Sequence, residues 1–275
     1  MRILITGATG NVGRHLIAHL LALRVEVRAL TRQEPAVAGL PPGVEIVRGD
    51  LAAPDTLGPA FDGVDRMFLF PVAETAGAVA ERARAAGIRR AVVLSSDAVT
   101  DGTDTVYHLP VERAIEKSGL EWTHVRPGEF ALNKLDTWGR SIREKGVVRA
   151  AYPAARGVPV HEADIAAVAA AALTSNDHVG AAYRVTGPQQ LTPGEQVAAI
   201  ATGIGRPLTF IEVSPAEARA DLIGLGFPEQ IADYLLAFEE RWVEHPPQVS
   251  PDAERVIGRP TRTLAEWAAD HVADF

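Results

Sequence analysis

The chain has 275 residues, of which 47% are hydrophobic, and it carries a formal net charge of −8 without a single cysteine. The lack of cysteine excludes disulfides, thiolate zinc sites and a cysteine nucleophile, and the acidic balance argues against nucleic acid as a partner. The longest apolar runs, such as residues 165–173, are too short to span a bilayer, and no segment reads as a signal peptide. We therefore expect a cytoplasmic protein with no membrane partner.

The first half of the chain alternates between two hydrophobic periods. Short runs rich in β-branched residues predict strands at 2–6, 25–30, 44–49, 66–70, 89–96 and 121–127. Apolar residues at helical spacing predict helices at 12–23, 73–87 and 107–118. Apolar strands that alternate with amphipathic helices indicate a parallel sheet covered on both faces. We predict an α/β fold with a Rossmann-type doubly wound sheet.

Helices dominate after about residue 130. They are predicted at 163–174, 193–203, 214–223, 229–243 and 263–272, with short strands near 182–186 and 208–212. We predict a Rossmann domain over residues 1–150 and a smaller, mainly helical substrate region over 151–275, interleaved with the first and packed on the carboxyl edge of the sheet.

The stretch "ITGATGNVGRHL" places three glycines between the first strand and the first helix. Gly7 permits the tight turn, Gly10 lets the backbone approach a pyrophosphate, and Gly13 lets the helix lie close to the strand. The N-terminus of the helix then offers unpaired N–H groups to the phosphates. This context predicts a dinucleotide site. The cofactor contacts predicted here are Gly7, Thr9, Gly10, Asn11, Val12 and Gly13.

The end of the second strand favours NADP(H) over NAD(H). Thr31 and Arg32 stand where an NAD-binding protein usually has an acid on the ribose hydroxyl. A guanidinium suits a 2′-phosphate, and Arg14 is a second candidate for that phosphate. The alternative is that Arg32 is a solvated surface residue.

Further cofactor contacts are predicted along the carboxyl edge of the sheet. Asp50 and Leu51 follow the third strand and either flank an adenine or, for Asp50, cap the helix that starts near Pro54. Phe70, Ser95 and Pro127 complete the predicted cofactor contacts.

The segments "GATGNVG", "GDL", "VVLSSDAV", "VERAIEKSGLEWTHVRPGEF" and "GRPTRTLAEWAADH" resemble the NmrA-like family of atypical short-chain dehydrogenase/reductases, and most nearly its NAD(P)H:quinone oxidoreductase-type branch. The resemblance runs nearly end to end. It implies the Rossmann fold, bound NADP(H) and a substrate cleft between the sheet and the C-terminal region. That family contains both working reductases and proteins that bind the cofactor as redox sensors.

The usual acid–base pair of the wider superfamily is missing. That superfamily combines Tyr-x-x-x-Lys with a Ser or Thr, whereas this chain matches the Lys position with His108, the Tyr position with Asp104 and the Ser position with Asp97. Tyr107 does not restore the motif, because the residue four positions later is Val111. Sugar epimerisation or alcohol oxidation by the usual route is therefore not expected.

His108 and Tyr107 are the candidate catalytic residues. The related quinone reductases carry a histidine at the matching position in an H-x-x-x-E pattern, seen here as His108 and Glu112. A neutral imidazole there could bind the nicotinamide ribose or a substrate oxygen, or deliver a proton to a reduced quinone. The alternative is a solvated first-turn histidine with Glu112 as a surface acid.

The predicted substrate pocket is aromatic. Phe130, Asn133 and Trp138 follow the strand at 121–127, with Tyr107 opposite, and such a wall suits a flat ring that carries carbonyl groups. The alternative places Phe130 and Trp138 in the core. The pocket residues predicted are Asp97, Tyr107, Phe130, Asn133 and Trp138.

The sequence leaves three functions open. The first is an NADPH-dependent reductase of a quinone or a conjugated carbonyl, in which positioning over the nicotinamide supplies most of the catalysis. The second is a non-catalytic NADP(H) sensor, and dehydration or isomerisation is a third possibility. No metal is expected, because His161, Glu162 and Asp164 read as a helix start. The expected partner is a small aromatic or conjugated substrate, with the chain as a monomer or homodimer.

Overall fold

The computed structural model describes residues 1–33 and 39–275. The strands in these ranges are β1 (Arg2–Ile5), β2 (Glu26–Thr31), β3 (Val44–Arg48), β4 (Arg66–Leu69), β5 (Arg90–Leu94), β6 (Glu121–Pro127), β7 (Val147–Ala150), β8 (Ala181–Val185) and β9 (Thr209–Glu212). The α-helices are α1 (Asn11–Ala22), α2 (Gly58–Phe61), α3 (Ala76–Ala85), α4 (Leu109–Ser118), α5 (Arg140–Lys145), α6 (Glu162–Thr174), α7 (Pro193–Ile204), α8 (Pro215–Gly224), α9 (Glu229–Glu244), α10 (Asp252–Ile257) and α11 (Leu264–Asp270).

Seven strands form one parallel sheet in the order β3-β2-β1-β4-β5-β6-β8. The chain crosses from one half of the sheet to the other between β1 and β4, and in doubly wound folds ligands bind outside the carboxyl ends of the strands at that point. The predicted α/β class and the doubly wound parallel sheet are confirmed.

Successive side chains of the central strands are buried on opposite faces, as a sheet covered on both sides requires. Leu4 and Met67 belong to a core cluster with apolar residues of α3 and α4. Ile3 and Ile5 are also fully buried, and alternation directs them to the other face, where α1 packs against α6. Most of α6 is buried because its alanine-rich sequence allows close packing.

The chain divides into two compact units. The first comprises residues 1–128, 162–185 and 252–259, and the second comprises 129–161, 186–251 and 260–275. The first unit takes α6 and β8 from the second half of the sequence, because β8 pairs with β6 and extends the sheet by one strand. The two units interleave along the sequence, and the first boundary lies after residue 128, whereas the prediction placed it at 150.

The second unit contains a short parallel pair of strands, β7 and β9, and a helical core. Trp267 is fully buried there among apolar residues that include Val197, Ile200 and Leu264. Thr263 caps α11 in a reciprocal capping box with Glu266. No helix in the described part of the chain has the length and apolarity needed to cross a bilayer.

Candidate functional site

The glycine loop joins β1 to α1 by a backbone path that needs glycine at two positions. Gly7 has φ +62°, a left-handed conformation that other residues rarely adopt. A Cβ on Gly13 would lie 2.2 Å from the carbonyl oxygen of Gly7, so only glycine lets α1 approach the turn this closely. The loop is closed by a 3.0 Å hydrogen bond from the Gly10 N–H to the Gly7 carbonyl.

The start of α1 suits an anion. Gly10 is its N-cap, and in the described residues no side chain caps the helix and no acid lies in its first turn. Its first N–H groups have no partner within the helix, and they add to the positive end of the helix dipole. These features fit the diphosphate of a dinucleotide, which would contact the main chain from Gly10 to Gly13.

Arg14 does not point freely toward a ligand. Its Nε donates to the Thr9 carbonyl at 2.9 Å, and its Nη1 donates to the Gly39 carbonyl at 3.0 Å. Arg32 is exposed immediately after the last residue of β2, whereas Thr31 is buried and accepts the Gln33 N–H on its hydroxyl at 3.1 Å. Arg32 is therefore better placed than Arg14 to meet a ribose 2′-phosphate.

Asp50 forms a turn, not a helix cap. Its carboxylate accepts the Ala52 N–H at 3.0 Å, and its own N–H donates to the Thr56 hydroxyl at 3.0 Å. The residue at the cap of the next helical turn is Ala53, and that turn has no side-chain cap. The capping interpretation is therefore wrong, because the carboxylate closes an Asx turn two residues away.

An apolar recess lies beside this turn in the first unit. Its lining residues are Leu51, Leu69, Phe70, Val72, Ala76, Val79 and Val111. The ring of Phe70 lies against Gly7, since a Cβ built on that glycine would be 3.2 Å from Phe70 Cδ2. The Phe70 N–H donates to the Thr6 hydroxyl at 2.7 Å, which ties the recess to the glycine loop. The lining side chains pack closely and leave no room for a ring as large as adenine within the recess, so the assignment of Leu51 and Phe70 to the cofactor stays a prediction.

Ser95 faces into the protein. It is 3% exposed, and its hydroxyl donates to Glu112 Oε1 at 2.6 Å. The proton of the hydroxyl is therefore engaged, and the assignment of Ser95 to the cofactor stays a prediction. Pro127 is buried at the end of β6, where it pairs with Val185.

Glu112 is 1% exposed, which corrects its interpretation as a surface acid. Arg126 donates to both of its carboxylate oxygens, from Nε at 2.9 Å and from Nη2 at 2.6 Å. Burial acts to raise the pKa of Glu112, but the hydrogen bonds from Arg126 and Ser95 outweigh it and hold that pKa below its usual value. The carboxylate is thus a charged structural anchor. The sequence does contain one signal for this ion pair, because Arg126 is a charged residue within the mostly buried strand β6.

His108 and Asp104 contact each other. His108 is the N-cap of α4, which begins at Leu109, so the helix starts two residues later than predicted. His108 Nδ1 is hydrogen-bonded to Asp104 Oδ2. Tyr107, beside it in the chain, is 73% exposed. The predicted catalytic roles of His108 and Tyr107 stay predictions.

Asp97 has little freedom to contact a substrate. Its two oxygens accept Nε and Nη2 of Arg184 at 2.7 and 2.8 Å, a bidentate ion pair. The position that matches the usual Ser or Thr therefore carries a neutralised carboxylate. The assignment of Asp97 to the substrate pocket stays a prediction.

Phe130, Asn133 and Trp138 lie in the second unit. Trp138 is 6% exposed and belongs to the hydrophobic core, so the alternative of a core residue is the correct one. Phe130 is half-buried beside Val160, and Asn133 is exposed. Both remain candidates for contact with a substrate.

A buried ionic cluster in the second unit has no counterpart in the sequence predictions. Lys134 Nζ contacts Glu129 Oε1 at 2.5 Å and lies 4.2 Å from the ring centre of Trp138. Burial and the charge of Glu129 raise the pKa of Glu239 to about 7, against the opposing effect of Lys134. No periodicity reveals such a cluster, because its members come from distant parts of the chain.

Two of the side chains considered for a metal have protein partners. His161 Nε2 contacts Asp270 at 3.2 Å in the second unit, whereas Asp164 contacts Arg259 at 2.7 Å in the first. Among the described residues, a group with the spacing of metal ligands is formed by Glu112, Glu116 and His124. The ion pair of Glu112 with Arg126 argues against a cation there.

Comparisons with known proteins agree with a dinucleotide site. A family model described as NAD(P)H-binding matches residues 7–176. The chain is 40% identical to the (4-alkanoyl-5-oxo-2,5-dihydrofuran-3-yl)methyl phosphate reductase of Streptomyces griseus and 33% identical to the NAD(P)H azoreductase of Xenophilus azovorans, with 99% of each chain covered in both cases. The solved structure of an NADPH-dependent quinone oxidoreductase from Escherichia coli, complexed with NADPH, is 26% identical with a TM-score of 0.82, and the match covers 98% of this chain and 99% of that one.

Proposed function

Because this chain belongs to the NAD(P)H-binding family and is an NAD(P)H-dependent reductase, we propose that it uses NADPH to reduce a quinone or a carbon–carbon double bond conjugated to a carbonyl. The observation that carries the proposal is the replacement of the usual tyrosine–lysine pair by Asp104 and His108, which are bonded to each other. Hydride addition to a conjugated acceptor leaves a delocalised enolate or phenolate, which is a much weaker base than the alkoxide formed from a saturated ketone, so the reaction depends less on a strong proton donor such as that pair.

The first unit offers the residues that would hold the cofactor. The main chain from Gly10 to Gly13 suits the diphosphate, and the exposed ring of Phe70, which lies against Gly7, offers an apolar contact beside it. The exposed guanidinium of Arg32 supports a preference for NADPH, since a 2′-phosphate gains a charge-assisted hydrogen bond that a bare hydroxyl does not. The bound cofactor would supply the hydride.

The relatives support the class of acceptor. The name of the Streptomyces griseus reductase describes an acyl-substituted dihydrofuranone, in which a ring double bond is conjugated to carbonyl groups. The Escherichia coli structure is named for quinones. Both acceptors are flat and electron-poor, and both leave a negative charge on oxygen after hydride arrives.

The experiment is a panel of acceptors mixed with the purified chain and NADPH, followed by the absorbance of the reduced nicotinamide. Quinones and enones should be turned over, whereas saturated ketones of similar size should not. Turnover of saturated ketones alone would contradict the proposal. Tight NADPH binding without turnover of any acceptor would support the sensor function instead.

The cofactor preference is tested with the variant Arg32→Ala. We expect its KM for NADPH to rise about 10- to 100-fold, the value of one or two charge-assisted hydrogen bonds, with the KM for NADH unchanged. The matched control is Arg140→Ala, which removes an exposed arginine of the second unit that pairs with Glu144. Equal effects of Arg32→Ala on both cofactors would show that Arg32 does not contact the phosphate.

A further inference from the structure

The carboxylate of Asp104 collects an unusual number of donors for a residue in a loop. Its Oδ1 accepts the backbone N–H groups of Val106, Tyr107 and His108 at 3.2, 2.9 and 3.2 Å. Its Oδ2 accepts the His108 N–H at 3.2 Å and contacts the Nδ1 of the same residue. The Asp104 side chain is 10% exposed and that of His108 is 29% exposed. The loop thus holds the carboxylate, and the carboxylate holds one edge of the imidazole.

We propose that Asp104 is a positioning residue that fixes a proton on Nδ1 of His108, so that Nε2 is the atom that delivers a proton to the reduced acceptor. This inference rests on the reductase function proposed above. The superfamily motif has a tyrosine at the position of Asp104, so the motif by itself assigns no role to this aspartate.

The first step of the argument is the charge of Asp104. Burial disfavours its ionised form, but the hydrogen bonds from the His108 ring and from the backbone of Tyr107 and His108 outweigh burial and keep the pKa of this carboxyl below its usual value. An ionised carboxylate only accepts hydrogen bonds. The Nδ1 that it contacts must therefore carry a proton in both the neutral and the charged imidazole.

The second step follows the proton. When hydride bonds to the electron-poor carbon of the acceptor, the π bond at that carbon breaks and its electron pair moves through the conjugated system onto the carbonyl oxygen, which becomes negative. The Nε2–H bond of the His108 imidazolium breaks, its proton goes to that oxygen or to the adjacent carbon, and the N–H electron pair returns to the ring. Neutral His108 retains its Nδ1–H bond to Asp104. Solvent then supplies the next proton to Nε2, which closes the cycle.

The third step is the contribution of Asp104 to this transfer. With its carboxylate present, only Nε2 can release a proton, and the ring need not turn to do so. The carboxylate also remains opposite the imidazolium before the transfer, as in other aspartate–histidine pairs where the acid orients the base and selects its tautomer.

The variant Asp104→Asn separates this role from a purely structural one. The side-chain oxygen of asparagine can keep the three backbone N–H groups that bind Oδ1, so the loop retains its support. Its amide group replaces Oδ2 and donates to Nδ1, which forces the neutral ring to carry its proton on Nε2. The matched control is Asp101→Asn, because Asp101 accepts the Thr103 N–H in the same loop at 3.1 Å.

The experiment combines nitrogen NMR of ¹⁵N-histidine-labelled full-length protein with steady-state kinetics. His108→Gln identifies the signals of His108 among the eight histidines. Neutral His108 should be the Nδ1–H tautomer in the unmodified protein and the Nε2–H tautomer in Asp104→Asn. The kcat with a quinone should fall roughly 10²-fold in Asp104→Asn, with the dissociation constant of NADPH unchanged, and Asp104→Glu should recover part of it.

Two results would overturn the inference. One is an Nε2–H tautomer in the unmodified protein, and the other is a kcat of Asp104→Asn equal to that of Asp101→Asn. The NMR result does not depend on turnover. If no acceptor is reduced while the Nδ1–H tautomer is observed, the proposed function and the delivery step both fail, and control of the tautomer by Asp104 stands.

Discussion

Replacing Glu239 by glutamine should make the protein more stable in alkaline solution. Burial and Glu129 raise the pKa of Glu239 from 4.5 to about 7 in the folded chain, although Lys134 opposes them. The folded state therefore binds more protons than the unfolded state between these two values, so stability falls as pH rises through this window. Above the folded pKa the cost of charging this half-buried carboxylate is present, and it amounts to at most about 3 kcal/mol because partial exposure to solvent reduces it.

The assay is urea unfolding, monitored by tryptophan fluorescence, at about pH 5 and about pH 8. Glu239→Gln removes the ionisation at nearly constant volume, so it should gain up to about 3 kcal/mol at the higher pH and little at the lower. The control is Glu240→Gln, an exposed neighbour on α9. A Glu239→Gln protein no more stable than the unmodified chain at high pH, or a gain that persists undiminished in acid, would refute the reasoning.

Two further substitutions test the first unit. Gly13→Ala should weaken NADPH binding at least about tenfold in calorimetry, because its Cβ would lie 2.2 Å from the Gly7 oxygen, whereas Gly58→Ala has open space and should bind normally. Arg126→Met should cost about 3 kcal/mol in urea unfolding, because it leaves Glu112 charged and buried without its partner. Adding Glu112→Gln to that variant should restore most of the loss, and unchanged stability of Arg126→Met alone would show that the ion pair is not required.

The fold was largely predictable because the patterns that indicate it lie within short stretches of the sequence. Apolar strands that alternate with amphipathic helices appear directly as hydrophobic periods, and the glycines between β1 and α1 mark the turn at which a dinucleotide binds. The strand at the end of the seven-stranded sheet, β8, was predicted as a strand but assigned to the helical region. Its membership in the main sheet depends on pairing with β6, more than fifty residues earlier in the chain.

The candidate site was predictable where function resides in the main chain. Gly7 and Gly13 could be interpreted from sequence because conformation and close approach exclude other residues there. The partners of Ser95 and Asp97 were not predictable, because no sequence spacing reveals them: Glu112 for the first and Arg184 for the second.

The sequence alone therefore determined the class of fold, the dinucleotide loop and the absence of the tyrosine–lysine pair, since each depends on residues that are close together along the chain. Only the tertiary structure decided that Asp104 holds His108, that Glu112 is buried against Arg126, and that Glu239 is held near a buried lysine–glutamate pair. The physical reason is that the state of a charge depends on burial and on its partners, and both are set by chain folding in space.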